Sequence, residues 1–151
     1  MPRIVREATV TWSGSMARGV GAISAASSGA FAELPFSFPT RIGNPEGRTS
    51  PEELLAAAHG GCFAMSLSAE LSNAELPPDG IDVRCQITMD EVEGKGHQIV
   101  GSAIVASATG PGIGAGELAT ALAAADAGCP FSTLLREAGA TVEVTTTEGA
   151  S

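Results

Sequence analysis

The sequence predicts an α+β domain in which antiparallel sheets wrap around one long apolar helix. Residues 50–71 combine helix-start signals with a nearly continuous apolar run, which is typical of a helix inside a protein. On both sides of this stretch, short segments alternate between apolar and polar residues, as strands do when one face is covered. The predicted element order is β-β-(β)-α-β-β-α-α-β, which is typical of the α+β class.

Length and composition limit the possible functions. The 151 residues predict one domain over residues 1–151, with the 44% hydrophobic and 17% charged content of a globular protein. A formal net charge of −9 argues against nucleic acid and anionic membrane surfaces, because both require basic patches. No continuous apolar run reaches the ~18 residues of a membrane span, and the first residues lack a signal-peptide core. We therefore expect a cytoplasmic protein without nucleic-acid or membrane partners.

Three short extended segments are predicted before the central helix. Residues 4–12 alternate in polarity, and residues 20–26 are the expected hairpin partner after a serine-glycine turn. Residues 34–39 are bracketed by prolines, which predicts a short edge strand or an extended loop. Residues 40–49 are rich in turn formers and predict a loop that carries two arginines.

The central helix has a well-marked start. Ser50 suits the N-cap, Pro51 suits the first helical position, and Glu53 completes a capping box with Ser50. Two glycines directly before Cys62 cost about 1 kcal/mol each relative to alanine. We expect these glycines to let another backbone or a small ligand approach the sulfur closely.

Two long strands, two short helices and a closing strand are predicted after the central helix. Residues 81–89 alternate and place Cys85 on the core face, so we interpret Cys85 as a packing residue. Residues 97–108 predict the second strand of this pair. The remaining elements are helices at 117–127 and 131–138 and a strand at 140–147.

The candidates for chemistry are few. A cysteine reacts as the thiolate, so its pKa must be lowered for work at neutral pH. Cys129 starts a predicted helix whose N-terminus stabilises an anion, whereas Cys62 needs a cation such as an arginine held by a carboxylate. His59 is three residues before Cys62 and is either the partner in a Cys/His dyad or a satisfied core histidine. The full set is Cys62, Cys129, Arg41, Arg48, Glu52, Glu53 and His59. A zinc site is disfavoured because His59, Cys62 and Cys129 supply only three ligands without typical spacing.

Three stretches carry specific motifs. They are Phe38-Pro-Thr-Arg41, Thr49-Ser-Pro-Glu-Glu-Leu-Leu-Ala-Ala-Ala-His-Gly-Gly-Cys62-Phe-Ala-Met-Ser-Leu and Ala127-Gly-Cys129-Pro-Phe-Ser-Thr-Leu-Leu. Together they closely resemble the OsmC/Ohr family of thiol peroxidases, and the OsmC branch more than the Ohr branch. The resemblance extends from about Ala8 to Val144.

The resemblance implies roles for individual residues. Cys62 matches the family's peroxide-attacking cysteine, and Cys129 matches the resolving cysteine that forms a disulfide with it. Arg41 matches the arginine that activates the thiolate, and Glu52 matches the carboxylate that holds this arginine. The connecting loop is a residue longer than expected, so Arg48 competes with Arg41 for the role.

The resemblance also implies an assembly and a reaction. The expected protein is an intertwined homodimer with active sites at the subunit interface, which reduces organic hydroperoxides and is reset by an external dithiol, of the lipoyl type. Neither haem, flavin nor metal is required. The alternative is a redox-sensing or small-ligand-binding protein that uses the same cysteine pair as a switch without efficient turnover.

Overall fold

The computed structural model of the chain describes residues 1–147 and has the predicted mixed α+β architecture. The chain divides into two compact units, Met1–Pro51 and Glu52–Ser151. The elements are β1 (Thr9–Ser13), β2 (Val20–Ser24), β3 (Leu34–Phe36), α1 (Phe38–Ile42), α2 (Pro51–Asn73), β4 (Gly80–Val92), β5 (Gly96–Thr109), α3 (Ala115–Gly128), α4 (Pro130–Glu137) and β6 (Thr141–Thr145). The expectation of one domain over the whole chain stays a prediction.

The first unit is built on a three-stranded antiparallel sheet in the order β1-β2-β3. The rings of Trp12 on β1 and Phe36 on β3 meet across the middle strand with their centroids 5.4 Å apart. Gly21 lies beneath them on β2, where a Cβ would be 2.8 Å from the Trp12 ring and would also overlap Phe36. Glycine at this position therefore lets the two rings close over the sheet.

The segment after β3 differs from the prediction. Residues 38–42 form helix α1, where an extended segment and a loop were expected. Ser37 adopts the extended backbone of an N-cap, and its Oγ accepts the backbone N–H of Thr40 at 3.3 Å, with Pro39 in the first turn. A serine followed closely by a proline is a helix-start signal, and it outweighs the extended tendency of the proline-bracketed segment.

The second unit contains a sheet in the order β4-β5-β6. Strands β4 and β5 form a long antiparallel hairpin, as predicted, whereas β6 pairs with β5 in parallel. The parallel pairing arises because α3 and α4 carry the chain back across the sheet, so β6 enters from the same end as β5. The helix α3 begins at Ala115, two residues before the predicted start, because Glu117 accepts the Gly114 backbone N–H at 3.1 Å.

The helix α2 is continuous over its 23 residues and buries one side in the second unit. Its buried stripe consists of His59, Phe63, Leu67 and Leu71, which follow one another at every fourth position. The three apolar residues of this stripe pack with the inner face of β5 and with α3. The partners are Ile104, Ala106 and Ala108 on β5 and Leu118, Ala121, Leu122 and Ala125 on α3.

The opposite side of α2 is exposed and apolar. Its open stripe consists of Ala57, Gly61, Met65 and Ala69, again at every fourth position, and Met65 is 71% exposed. By length and composition alone α2 also qualifies as a membrane span, with a mean hydropathy of 1.2. The buried stripe is what a core helix of a folded domain presents, so the open stripe is the side that the second unit leaves uncovered.

Candidate active site

The structure brings the thiols of Cys62 and Cys129 together. Cys62 lies near the middle of α2, and Cys129 occupies the N-cap position of α4, 67 positions later in the chain (129 − 62). The two thiols lie within interaction distance of each other, and both cysteines are free. Cys129 is fully buried and Cys62 is half-buried, so Cys62 is the sulfur that solvent and small molecules reach first.

The surroundings of Cys62 disfavour its thiolate. Burial raises the pKa of this thiol, and so does the neighbouring Cys129 thiol. The backbone N–H of Phe131 and the hydroxyl of Ser66 lower the pKa, but their effect is smaller and both groups are neutral. The Cys62 thiol is therefore mainly protonated at neutral pH until a positive charge approaches it.

The predicted cation and its carboxylate lie in different units of the chain. Arg41 is exposed in the last turn of α1, and Glu52 is half-buried in the first turn of α2. Because α2 is one continuous helix, the ten positions from Glu52 to Cys62 correspond to about 15 Å along its axis. Arg48 donates a hydrogen bond to Ser37 Oγ at 3.4 Å within the first unit. The activating role of either arginine stays a prediction.

His59 is a satisfied core histidine rather than half of a Cys/His dyad. The side chain is fully buried, with Nδ1 2.7 Å from Ser102 Oγ and Nε2 2.8 Å from Ser132 Oγ. A neutral imidazole has one donor and one acceptor nitrogen, so one serine donates to the ring and the other accepts from it. Both ring nitrogens are thus engaged by serines, and neither is left to accept the proton of Cys62.

The charge state of His59 follows from its burial. Burial lowers the pKa of the imidazole, Asp126 on α3 opposes this, and Arg136 on α4 adds to the lowering. Arg136 and Asp126 form an ion pair, which largely cancels their separate effects on the histidine. His59 is therefore neutral at neutral pH.

Cys85 occupies the inner face of β4, as its alternation predicts. Burial raises the pKa of its thiol, and its Sγ lies 3.5 Å from Ser102 Oγ and 3.8 Å from His59 Nδ1. Gly60 faces this strand, and a Cβ there would lie 3.3 Å from the Cys85 Cβ, whereas a Cβ at Gly61 would meet nothing within 4 Å. The close approach that the glycines permit is thus between Gly60 and Cys85.

The two serine partners of His59 are contacts beside the thiol pair that sequence reasoning missed. Ser102 shares the inward parity of Ile104 and Ala106 on β5, and Ser132 is fully buried in the first turn of α4. A serine at a core position indicates a buried hydrogen-bond partner, and this signal was available for Ser102. The identity of its partner could not be predicted, because His59 is 43 positions away in the chain.

The arrangement has the groups for thiol chemistry. Two thiols in contact form a disulfide when an oxidant accepts two electrons, and a dithiol restores them by exchange. Over residues 1–147, no group of three or more His, Cys, Asp or Glu side chains could hold a metal ion. The pair of neighbouring thiols between two helices is by itself the arrangement of a thiol redox protein.

Comparison with known proteins identifies the family. The OsmC family, described as OsmC-like protein, matches residues 43–145 of this chain. The chain is 38% identical over 125 residues to Peroxiredoxin OsmC of Escherichia coli (strain K12), covering 83% of this chain and 85% of that relative. Peroxiredoxin OsmC of Shigella flexneri matches with the same values. The chain belongs to the OsmC family and is a peroxiredoxin-like redox protein.

Solved structures share the fold across nearly the whole chain. An organic hydroperoxide resistance protein OsmC from Legionella pneumophila aligns with a TM-score of 0.73 and 20% identity, over 95% of this chain and 98% of that one. The organic hydroperoxide resistance protein OhrB of Bacillus subtilis aligns with a TM-score of 0.71 and 23% identity, over 93% and 98%. The predicted OsmC/Ohr resemblance and fold class are therefore confirmed.

Proposed function

We propose that the protein is a cysteine-based peroxidase that reduces organic hydroperoxides to alcohols. The observation that carries the proposal is the contact between the Cys62 and Cys129 thiols in a chain of the OsmC family. The relative that is 38% identical is named a peroxiredoxin, which supports the same class of activity.

The reaction follows from the order in which the two sulfurs are reached. The Cys62 thiolate attacks the O–O bond of ROOH and takes one oxygen as a sulfenic acid, and the alkoxide leaves and gains a proton to give ROH. The Cys129 thiol then condenses with the sulfenic acid, which forms the Cys62–Cys129 disulfide and releases water. An external dithiol, of the lipoyl type, returns both cysteines to thiols by exchange.

Activation of Cys62 requires a positive charge, because the groups that lower its pKa are neutral. We assign this charge to Arg41 and assign Glu52 as the carboxylate that holds the guanidinium. The distance of about 15 Å along α2 is too long for Glu52 to direct an arginine onto Cys62 of the same helix. We therefore propose that Arg41 and Glu52 of one subunit serve Cys62 of its partner.

The open stripe of α2 supports the homodimer that this assignment needs. Its four residues are apolar or small, and Met65 alone leaves 71% of its surface exposed. Burying apolar surface contributes roughly 25 cal/mol per Å², so a second copy of α2 is a favourable cover. Two α2 helices packed antiparallel along their open stripes bring the Glu52 end of one helix toward Cys62 of the other.

A steady-state assay tests the proposed activity. With dihydrolipoamide as reductant, we expect a higher kcat/KM for cumene hydroperoxide than for hydrogen peroxide, because an apolar tail gains from burial beside Ala58 and Met65 and hydrogen peroxide has no such surface. Cys62→Ser is expected to abolish turnover, with Cys85→Ser as the matched active control. Equal or faster turnover of hydrogen peroxide contradicts the substrate class. A single oxidation without turnover by any dithiol supports the sensor alternative.

Subunit mixing tests whether the site is shared. A Cys62→Ser subunit keeps Arg41 and Glu52, and an Arg41→Ala subunit keeps the thiols, so their heterodimer has one complete site of two. We expect the mixture to regain up to about half of the wild-type dimer's activity, with each variant alone inactive. If exchange is demonstrated and no activity returns, Arg41 acts within its own chain.

A further inference from the structure

His59 is a buried titratable group that the proposed reaction does not use. We propose that His59 is a positioning residue: through Ser132 it holds the first turn of α4 in register with α2, so that Cys129 can close the disulfide on Cys62. The inference rests on the proposed two-cysteine chemistry and adds a residue that neither touches peroxide nor exchanges a proton with the thiols.

The geometry consists of two matched contacts between α2 and α4. His59 and Cys62 are three positions apart on α2, and Cys129 and Ser132 are three positions apart at the start of α4. Residues three apart lie on the same side of a helix, so each pair faces the other helix together. His59 hydrogen-bonds to Ser132 and the Cys62 thiol lies beside the Cys129 thiol, which is the pairing of two antiparallel helices. The histidine–serine contact thus sets the register of the thiol contact.

Both nitrogens of the histidine ring are satisfied by buried serines. Nδ1 lies 2.7 Å from Ser102 Oγ on β5, the central strand of the sheet, while Nε2 lies 2.8 Å from Ser132 Oγ. All three side chains are at least 97% buried, so no solvent is available to replace a lost bond. The ring is carried by α2 itself, so its Nε2 contact joins α2 to the start of α4, while Ser102 occupies the other ring nitrogen.

The far end of α4 has a separate attachment. Arg136, one turn after Ser132, pairs with Asp126 on α3 and donates to the backbone carbonyl of Val142 at 3.4 Å. Loss of the Ser132 contact therefore releases the first turn while the last turn stays attached. That first turn carries Cys129 and the Phe131 N–H that faces Cys62.

The test compares two serine variants of the full chain, Ser132→Ala and Ser102→Ala. Each removes one hydroxyl of similar burial from the same imidazole, but only Ser132 is on α4. The reduced proteins are treated with an excess of an aromatic disulfide, 5,5′-dithiobis(2-nitrobenzoate), at fixed pH. Cys62 attacks it and releases one aromatic thiolate, and Cys129 then attacks the mixed disulfide, releases the second and leaves the Cys62–Cys129 bond. Peptide mapping assigns each step to its sulfur, and thermal unfolding confirms that both variants are folded.

Ser132→Ala is expected to slow the second release about ten- to a hundredfold relative to the first, as expected when a reacting group is misplaced by about 1 Å. Ser102→Ala is expected to keep the wild-type ratio of the two releases. Equal ratios in both variants, or a slower second release in Ser102→Ala, overturn the inference, because His59 then acts only as a core residue.

The experiment remains informative if Ser132→Ala fails to fold or if the protein has no peroxidase activity. If Ser132→Ala does not fold, it is replaced by the triple variant His59→Leu, Ser102→Ala, Ser132→Ala, which leaves none of the three polar groups without a partner. The ratio of the second to the first thiolate release is then compared between this triple variant and Ser102→Ala. The reagent replaces peroxide, so the outcome is independent of peroxidase activity. If the wild-type protein shows no peroxidase activity but releases the second aromatic thiolate normally, only the proposed function is contradicted.

Discussion

The two sides of α2 show what one apolar helix can be used for. The buried stripe carries the large side chains Phe63, Leu67 and Leu71, which pack against their own sheet and α3. The open stripe carries mostly small residues around Met65 and has no such cover from the second unit. Cys62 is three positions from His59 and three from Met65, so its sulfur lies between the buried stripe and the open stripe. Breaking one side should therefore unfold the chain, and breaking the other should only separate the subunits.

The largest effect is expected on the buried stripe. Phe63→Ala should lower the free energy of unfolding by about 3–5 kcal/mol, because the side chain is fully buried and leaves a cavity. Urea unfolding measures this change. The matched substitution on the open stripe, Met65→Ala, should cost no more than about 0.5 kcal/mol at protein concentrations where the chain is monomeric. Similar losses from both variants would mean that the two stripes are not different environments.

A charge on the open stripe should separate the subunits without unfolding them. Met65→Glu buries an unpaired carboxylate in the proposed interface, which costs several kcal/mol and should weaken the dimer at least about a hundredfold. Light scattering should show the dimer mass for the wild type and the subunit mass for the variant, with peroxidase activity lost together with the dimer. Ala119→Glu, at an exposed position of α3, is the control and should stay dimeric. A Met65→Glu variant that is dimeric and active contradicts the proposed interface.

The buried stripe should also make stability depend on pH through His59. Its pKa is lowered in the folded chain by burial, with Arg136 adding to the shift, Asp126 opposing it and the neutral Cys85 thiol also facing the ring. Below the ordinary histidine pKa of 6.5 the unfolded chain binds a proton that the folded chain refuses, so the free energy of unfolding falls as pH decreases.

Urea unfolding between pH 7 and pH 5 checks this dependence. In His59→Gln the histidine contribution should disappear, so its stability should fall less steeply with decreasing pH than that of the wild type. In His97→Gln, where the exposed histidine of β5 is replaced, the wild-type slope should remain. An unchanged slope in His59→Gln would show that the proton is taken up elsewhere.

The smallest expected effect separates the two glycines before Cys62. Gly61→Ala places its Cβ on the open stripe, where nothing lies within 4 Å, and should stabilise the helix by about 1 kcal/mol. Gly60→Ala should gain less or lose stability, because its Cβ would lie 3.3 Å from the Cys85 Cβ. Both are best measured in the monomeric Met65→Glu background, so that the interface does not contribute. A larger gain at Gly60 than at Gly61 would contradict this packing.

Local signals in the sequence were enough for much of the fold. The start of α2 at Pro51 follows from its capping residues, and the alternation around Cys85 predicts its inward direction on β4. The parallel direction of β6 was not predictable in this way, because it depends on how α3 and α4 cross the sheet. Helix α1 was missed although Ser37 signals its start, since the neighbouring prolines also fit an extended segment.

Only the residues of the candidate site that belong to the family motifs could be predicted from the sequence. Those motifs pair Cys62 with Cys129, and the fold places the two thiols in contact. The bonds of His59 to Ser102 and Ser132 join residues 43 and 73 positions apart, and even the core position of Ser102 does not indicate which residue is its partner. Such contacts are properties of the packed chain, so they become visible only once the elements are assembled.

Peptide mapping after oxidation tests whether Cys62 and Cys129 form the redox pair. The reduced protein is treated with one equivalent of cumene hydroperoxide, alkylated to trap the remaining thiols, and digested. We predict a Cys62–Cys129 disulfide with Cys85 recovered as an alkylated thiol, because the first two sulfurs lie side by side and the third is held on β4 beside Ser102. A disulfide that contains Cys85, or a Cys62 that oxidises without joining Cys129, would contradict the account.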